Sequence, residues 1–256
     1  MPVQQLFDLS GRVALVTGGS RGLGAAMATA LAEAGADLAI TSTTPTEIIE
    51  RAEEIATATG RRVVGIAADV TDEAASEQVV AEVERTFGRL DIVVNNAGVN
   101  LRGSIDELSV AEFQRSFSVN VTGAWLMCRA SQRLLSESPA ARVINLGSTF
   151  GTIAAPNRTA YTTAKGAVHQ LTRALAMEWA HIPINVNALA PGPFLTDMNL
   201  THQFSEHSVR VINQEIALKR WAEIDEITGP LLFLASDASS YVTGSILAVD
   251  GGWTTH

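Results

Sequence analysis

The stretch "TGGSRGLG", Thr17 to Gly24, carries four glycines in eight residues. Such a run is compatible with a mobile turn and with a cradle for a phosphate, and its flanks tell which fold it belongs to. Before it, "RVALVTG" (12–18) is a short apolar run of strand character; after it, "AAMATALAEAG" (25–35) is rich in Ala and Leu and closes on Gly35, a helix C′ residue. A strand that turns at glycine into a helix is the first half of a βαβ unit. In that position glycine lets the backbone approach a pyrophosphate, and the helix N-terminus offers unpaired N–H groups and the positive end of its dipole. The spacing over Gly18, Gly22 and Gly24 is G-x-x-x-G-x-G, not the commoner G-x-G-x-x-G, so the loop by itself leaves the structural turn open.

The same alternation runs outward to both ends. Further strands are expected at 37–42, 62–70, 91–98, 141–148, 184–192 and 245–252. Helices are expected at 44–60, with Thr44 as cap, Pro45 at the first position and Glu47 completing a capping box, and at 72–88 with Thr71 as cap. A Ser109-x-x-Glu112 box opens a helical region reaching about Leu135, and a long helix is expected from about Thr159 to Ala180. Strands separated by helix-length segments give a parallel sheet with helices on both faces. No linker or internal repeat divides the chain, so one domain over 1–256 is expected. The poorly patterned segment 193–222 lies between the last two strands, where open α/β sheets bind ligands; it reads as a substrate lid or as a helical excursion that only packs.

Composition narrows the function. With 46% hydrophobic and 18% charged residues and a net charge of -9, the chain has an ordinary globular make-up and no basic run for a nucleic-acid backbone. Its apolar stretches are shorter than the roughly 18 residues of a membrane helix, and "MPVQQLFDLSGR" lacks the pattern of a signal peptide. A cytoplasmic protein without membrane or nucleic-acid partners is expected. Cys128 has no partner at disulfide or metal spacing and reads as a small buried apolar residue; the histidines show no metal spacing.

Two residues carry acid–base chemistry. Tyr161 and Lys165 stand four apart in "YTTAKGAV", on one face of the expected long helix. A tyrosine of ordinary pKa about 10 is a poor base near neutrality, and a nearby ammonium stabilises its phenolate. Such a pair can trade a proton with an alcohol or ketone, although Tyr-x-x-x-Lys alone also fits a packing pair. Ser148, at the carboxyl end of the fifth strand, can hold the substrate oxygen.

These pieces, with "NNAG" at 95–98, Asn120 in "SVNVTG" and Pro191-Gly192, occur in an order and spacing that resemble the short-chain dehydrogenase/reductase family over nearly the whole chain. The resemblance implies a single-domain Rossmann-like three-layer sandwich with a seven-stranded parallel sheet, and a homotetramer. Tyr161 would then be the general acid/base. Lys165 would lower its pKa and bind the nicotinamide ribose, Ser148 would orient the substrate oxygen, and Asn120 would hold a water linking Lys165 to solvent. The resemblance also implies a set of cofactor contacts. In the glycine loop these are Gly18, Ser20, Gly22, Leu23 and Gly24. Asp69, with Val70 beside it, would accept from the adenine amino group. Asn96, Ala97 and Gly98 would line the adenine side. Pro191, Gly192 and Phe194 would flank Thr196, which would contact the nicotinamide carboxamide.

The cofactor follows from a missing charge. NAD sites place Asp or Glu at the end of the second strand for the ribose 2′-hydroxyl. Here that strand ends "LAITSTTP", without an acid. Arg21 in the loop can meet a 2′-phosphate with paired hydrogen bonds, and Ser42 and Thr43 can add hydroxyls. NADP(H) is therefore the expected cofactor, with NAD(H) the alternative. The expected reaction is interconversion of a secondary alcohol and a ketone on a small polyol, sugar acid or cyclic alcohol. The C-terminal part resembles both gluconate 5-dehydrogenase-like enzymes and 3-oxoacyl-[acyl-carrier-protein] reductases; Arg129, Arg133 and Arg173 are too scattered for an acidic carrier protein. A sugar-nucleotide epimerase and a non-catalytic dinucleotide-binding protein are the remaining alternatives.

Overall fold

The computed structural model describes residues 2–196, 199 and 203–255. Its centre is a sheet of seven strands, β1 (Val13–Thr17), β2 (Asp37–Ser42), β3 (Val63–Ala67), β4 (Ile92–Asn95), β5 (Ala141–Leu146), β6 (Ile184–Pro191) and β7 (Ile246–Val249). The order is β3-β2-β1-β4-β5-β6-β7, and every pair is parallel. Successive strand residues face opposite sides of the sheet, so β1 feeds both halves of the core. Ala14 and Val16 pack with Met27, Leu31, Ile40 and Ile48 on one face; Val13 and Leu15 pack with Val79, Val83, Val143 and Val186 on the other. This burial on both faces is why the strands read as continuous apolar runs without alternation.

On one face lie α1 (Gly22–Glu33), α2 (Pro45–Thr59) and a helix at Thr228–Ala235; on the other lie α3 (Glu73–Phe87), α5 (Gly123–Glu137) and α6 (Thr159–Glu178), with α4 (Val110–Phe117) leading into α5. We number the short helix Glu206–Arg210 α7 and Thr228–Ala235 α8. The order in which strands are added reverses between β1 and β4: β2 and β3 lie to one side of β1, and β4 onward to the other. Such a switch point opens a crevice at the carboxyl ends of the strands.

A buried polar chain fixes α6 to the sheet. The Asn95 amide donates to Asn145 Oδ1 (2.8 Å), and the Asn145 amide donates to Thr172 Oγ1 (3.0 Å). At the opposite end of the strands, the buried Asp91 carboxylate accepts from the Val13 N–H, the Ser138 hydroxyl and both forks of Arg89. A buried charge needs such a full set of partners.

Several expected local features differ. Strands are shorter than expected: the fourth ends at Asn95 and the fifth at Leu146, so Asn96–Gly98 of "NNAG" and Ser148 lie in loops beyond them. The cap of α3 is Asp72, whose carboxylate accepts from the Ala74 and Ala75 N–H groups, not Thr71; Thr71 gives both its N–H and its hydroxyl to Asp69 Oδ1. The capping box at Thr44 and Glu47 does not form, because the Ser42 hydroxyl takes the Thr44 N–H that Glu47 would accept. The box of Ser109 and Glu112 does form. α8 stands where no element was expected; Pro230 lies in its first turn, where proline removes no internal hydrogen bond.

Candidate active site

The loop after β1 is built around glycine. Gly18 and Gly22 take positive φ (65° and 55°), a region where side chains are strained. A Cβ on Gly24 would overlap the Gly18 carbonyl oxygen and the Asn96 amide. Asn96 braces the loop by donating to the Thr17 and Gly18 carbonyl oxygens (2.9 Å each). The Thr17 hydroxyl accepts from the Asn96 and Ala97 N–H groups (3.0 and 3.1 Å). α1 starts at Gly22, and no side chain caps it. Its first N–H groups face the crevice beside an exposed Arg21, the arrangement a pyrophosphate requires.

The loop forms one wall of a cavity of about 1380 Å³. Every residue expected to act in catalysis or cofactor binding lines it: Gly18, Ser20–Gly24, Ser42–Thr43, Asp69–Val70, Asn96–Gly98, Asn120, Ser148, Tyr161, Lys165, Pro191, Gly192, Phe194 and Thr196. Asp37, the only acid on β2, is at the far end and held by Arg61 (2.8 Å) and Arg62 (3.2 Å). Glu47, freed from a capping role, lines the cavity beside Thr43 and Thr44; sequence reading missed it because it fitted the capping pattern. Phe194 is 2% exposed and packs in the core, and Thr196 lies across from Gly22.

At the other end of the cavity α6 places Tyr161, Lys165 and His169 one turn apart. Lys165 is buried and donates to the Leu146 carbonyl at the end of β5 (2.7 Å). With no carboxylate beside it, burial pushes its ammonium down to about 8. Burial raises the Tyr161 phenol, while a hydrogen bond with Ser148 and the positive charge of Arg158 hold it back. Arg158 is thus a second cation beside the phenol. Lys165, from which the resemblance implied this effect, turns its ammonium to the strand end, 5.6 Å from the centre of the Tyr161 ring.

Ser148 caps the short turn Thr149–Gly151 by accepting from the Phe150 N–H (3.2 Å). Beneath this turn sits His169, 3% exposed, its ring filling the space that side chains on Gly147 and Gly151 would need. Burial holds its imidazole down at about 4, so it is neutral near pH 7. Sequence reading missed His169, although the four-residue step from Tyr161 through Lys165 points to it.

Asn120 lies in a π-turn (Ser118–Thr122) between α4 and α5. Its amide donates to the Val99 and Ser116 carbonyls (2.9 Å each), and its Oδ1 accepts from the Val99 N–H (3.3 Å). The side chain ties the helix to the loop after β4. Cys128 is buried against the Asn95 amide, and burial pushes its thiol up to about 12, which removes it as a nucleophile.

The two ends of the lid expected at 193–222 clasp each other: Ala222 donates to the Pro193 carbonyl and Leu195 to the Ala222 carbonyl (2.9 Å each). Val211, Ile212 and Ile216 pack on Trp253, which meets Phe150 edge-on (5.2 Å). Residues 197, 198 and 200–202 of the expected lid lie outside the described residues.

A family model described as enoyl-(acyl carrier protein) reductase matches residues 18–254. A 2-dehydro-3-deoxy-D-gluconate 5-dehydrogenase of Dickeya dadantii is 37% identical over 96% of this chain and 97% of its own. A galactitol 2-dehydrogenase (L-tagatose-forming) of Cereibacter sphaeroides is 40% identical over 99% of both. The crystal structure of a gluconate 5-dehydrogenase from Burkholderia cenocepacia, in complex with NADP and tartrate, superposes with a TM-score of 0.94 at 33% identity over 99% of both chains. A dinucleotide crevice at the switch point, the Ser148–Tyr161–Lys165 cluster and these full-length likenesses converge: the chain belongs to the short-chain dehydrogenase/reductase family.

Proposed function

We propose that this protein is an NADP(H)-dependent oxidoreductase that interconverts a secondary alcohol and a ketone on a small polyol or sugar acid. One observation carries the reading: Ser148, Tyr161 and Lys165 meet at the carboxyl end of β5, in the same cavity as the glycine loop. The cyclic alcohols expected beside polyols remain a variant of the same chemistry.

A bound nicotinamide supplies hydride exchange at the substrate carbon. The chain's own part is to place the oxygen and move a proton. The Ser148 and Tyr161 hydroxyls fix the substrate oxygen from two sides. In oxidation the alcohol proton passes to Tyr161 Oη; in reduction Tyr161 Oη returns it to the forming alcohol. The charge of Arg158 and the Ser148 hydrogen bond favour the phenolate that this exchange needs. Lys165, fixed on the Leu146 carbonyl, holds a cation where the nicotinamide ribose would lie.

The cofactor form is read from Arg21, whose guanidinium has no partner among the described residues, and from the acid-free end of β2. The NADP of the Burkholderia relative accords with it. A carrier-protein substrate is disfavoured because Arg129 and Arg133 are neutralised by Glu73, Glu84 and Glu137, and Arg173 bonds Gln170. Residues 203–216 act as a lid over the substrate end, hinged at the clasp of Pro193 and Ala222. A homotetramer is supported by exposed apolar side chains on α4, α5 and α6: Val110, Phe113, Trp125 and Met177. A cytoplasmic location accords with the single free, buried thiol.

Assay of the purified protein with NADP and NAD against polyols, aldonates, cyclic alcohols and a 3-oxoacyl thioester tests the reading. Cofactor turnover with a polyol or aldonate supports it. Turnover of the thioester alone, or of none of these, contradicts it.

A further inference from the structure

Helix α6 meets the end of β5 and the loop after it turn by turn. The Asn145 amide donates to Thr172 Oγ1, Lys165 Nζ donates to the Leu146 carbonyl, and Tyr161 hydrogen-bonds Ser148. His169 stands between Thr172 and Lys165 in this row, and the proton exchange described above gives it no part. It is buried, and its Nε2 makes no hydrogen bond among the described residues. Burial first, then the Arg173 and Lys165 cations of the same helix, keep the ring neutral, while the Gly151 backbone works the other way. A buried imidazole with an unpaired nitrogen is unfavourable, and an apolar side chain of similar size would avoid that cost.

The loop opposite is shaped to the ring. A Cβ on Gly147 would overlap Nε2 and Cδ2 of His169, and the three atoms nearest to a Cβ on Gly151 all belong to the imidazole. Both glycines lie outside the left-handed region, so it is room for a neighbour, not backbone freedom, that they provide. They bracket Ser148 and the turn Thr149–Gly151. The Gly147 N–H donates to the Leu189 carbonyl (2.8 Å) and the Gly151 N–H to the Ser148 carbonyl (2.9 Å), while Ser148 Oγ accepts from the Phe150 N–H. The backbone on either side of Ser148 is thus pinned by sheet and turn, and it rests on the imidazole. Close-packed interiors transmit a displacement to their neighbours, so the seat of the ring sets where Ser148 Oγ stands.

We infer that His169 is a positioning residue for the alcohol–ketone exchange: seated in the space left by Gly147 and Gly151, its ring fixes the height of the Ser148 turn above α6, and with it the reach of Ser148 Oγ to the substrate oxygen and to Tyr161. This rests on the reading of Ser148 and Tyr161 as the groups that hold that oxygen.

The test exchanges volume across this contact and follows both turnover and the Tyr161 phenol itself. Tyr161 is one of two tyrosines, and the other, Tyr241, is exposed. In a Tyr241→Phe background, tyrosinate absorbance after pH jumps therefore reports Tyr161 alone. Gly151→Ala drives a methyl group into the ring. It should lower kcat with D-gluconate or galactitol by roughly 10- to 100-fold, the cost of a small misplacement, and leave NADPH affinity unchanged. It should also raise the Tyr161 midpoint by about one unit, as the Ser148 hydrogen bond is lost. The charges around the phenol are the same in every variant: Arg158 and Lys165 on α6, Arg102 across the Gly103 bridge and Glu215 beyond Trp253. Gly151→Ala combined with His169→Ala gives the methyl the room the ring held, and should bring kcat and midpoint back toward the wild type. His169→Asn, which leaves a smaller void, takes the place of His169→Ala if that protein does not fold. A midpoint unmoved by Gly151→Ala, or a double variant no better than Gly151→Ala alone, would overturn the role of His169. A midpoint that shifts and returns while no polyol, aldonate or cyclic alcohol changes the cofactor's redox state would leave His169 placing Ser148 and sink the alcohol–ketone reading. Cofactor turnover that none of these substitutions alters would do the reverse.

Discussion

Arg21 and Lys165 are both cations without a carboxylate partner, and each makes a different demand. Arg21 is exposed, so it waits for a ligand at little cost. Arg21→Ala should weaken NADPH binding by roughly 1.5–3 kcal/mol, as expected for a lost hydrogen bond to a charged group, and leave NADH nearly unaffected. Fluorescence titration with both cofactors checks this; equal losses would assign Arg21 a packing role. Lys165 is buried, with a folded pKa near 8 against an ordinary 10.5. A lysine whose folded pKa is depressed weakens the fold fully below pH 8, and the penalty fades as pH rises toward 10.5. Lys165→Met should therefore lose activity yet stabilise the cofactor-free protein by about 1–2 kcal/mol at neutral pH, with the gain shrinking in alkali. Denaturant unfolding at both pH values measures it, and a gain that grows with pH would contradict the assignment of the shift to burial.

At the scale of elements, the sequence showed which segments form the sheet but not where its strands stop. The expected strands pass beyond Asn95 and Leu146 into Asn96–Gly98 and Gly147–Ser148, where the backbone leaves the ladder although no proline or charge marks the stop. The Tyr161–Lys165 pair was legible because helix periodicity places both on one face. His169 continues the same four-residue step, but its place against Gly147 and Gly151 is visible only in the fold. Segment 193–222 was legible as a lapse in pattern, whereas the clasp of its ends at Pro193 and Ala222 required the fold. Hydrogen exchange in residues 203–216 should slow when NADPH and an aldonate are both bound, and to a lesser degree with either alone. Equal, strong protection with and without ligand would remove the gating role.

For the whole molecule, the strand order decides where chemistry can occur. The reversal between β1 and β4 opens the crevice, and β5 and β6 extend its floor toward Ser148 and Pro191, so cofactor and substrate ends share one cavity. The helices α4 to α6 that carry or support the reacting groups also expose Phe113, Trp125 and Met177 outward. Sedimentation velocity should find four chains in one particle, and Trp125→Glu should break it into smaller ones; a wild-type monomer would contradict that assembly. The central claim is that Tyr161 exchanges the substrate proton in an otherwise preformed site. The most direct measurement compares Tyr161→Phe with the wild type in both NADPH affinity and turnover. The expected result is an unchanged affinity with turnover lower by about 10²–10⁴-fold, the range of general acid–base catalysis. Turnover within a few-fold of the wild type at full cofactor binding would show that the proton travels by another route.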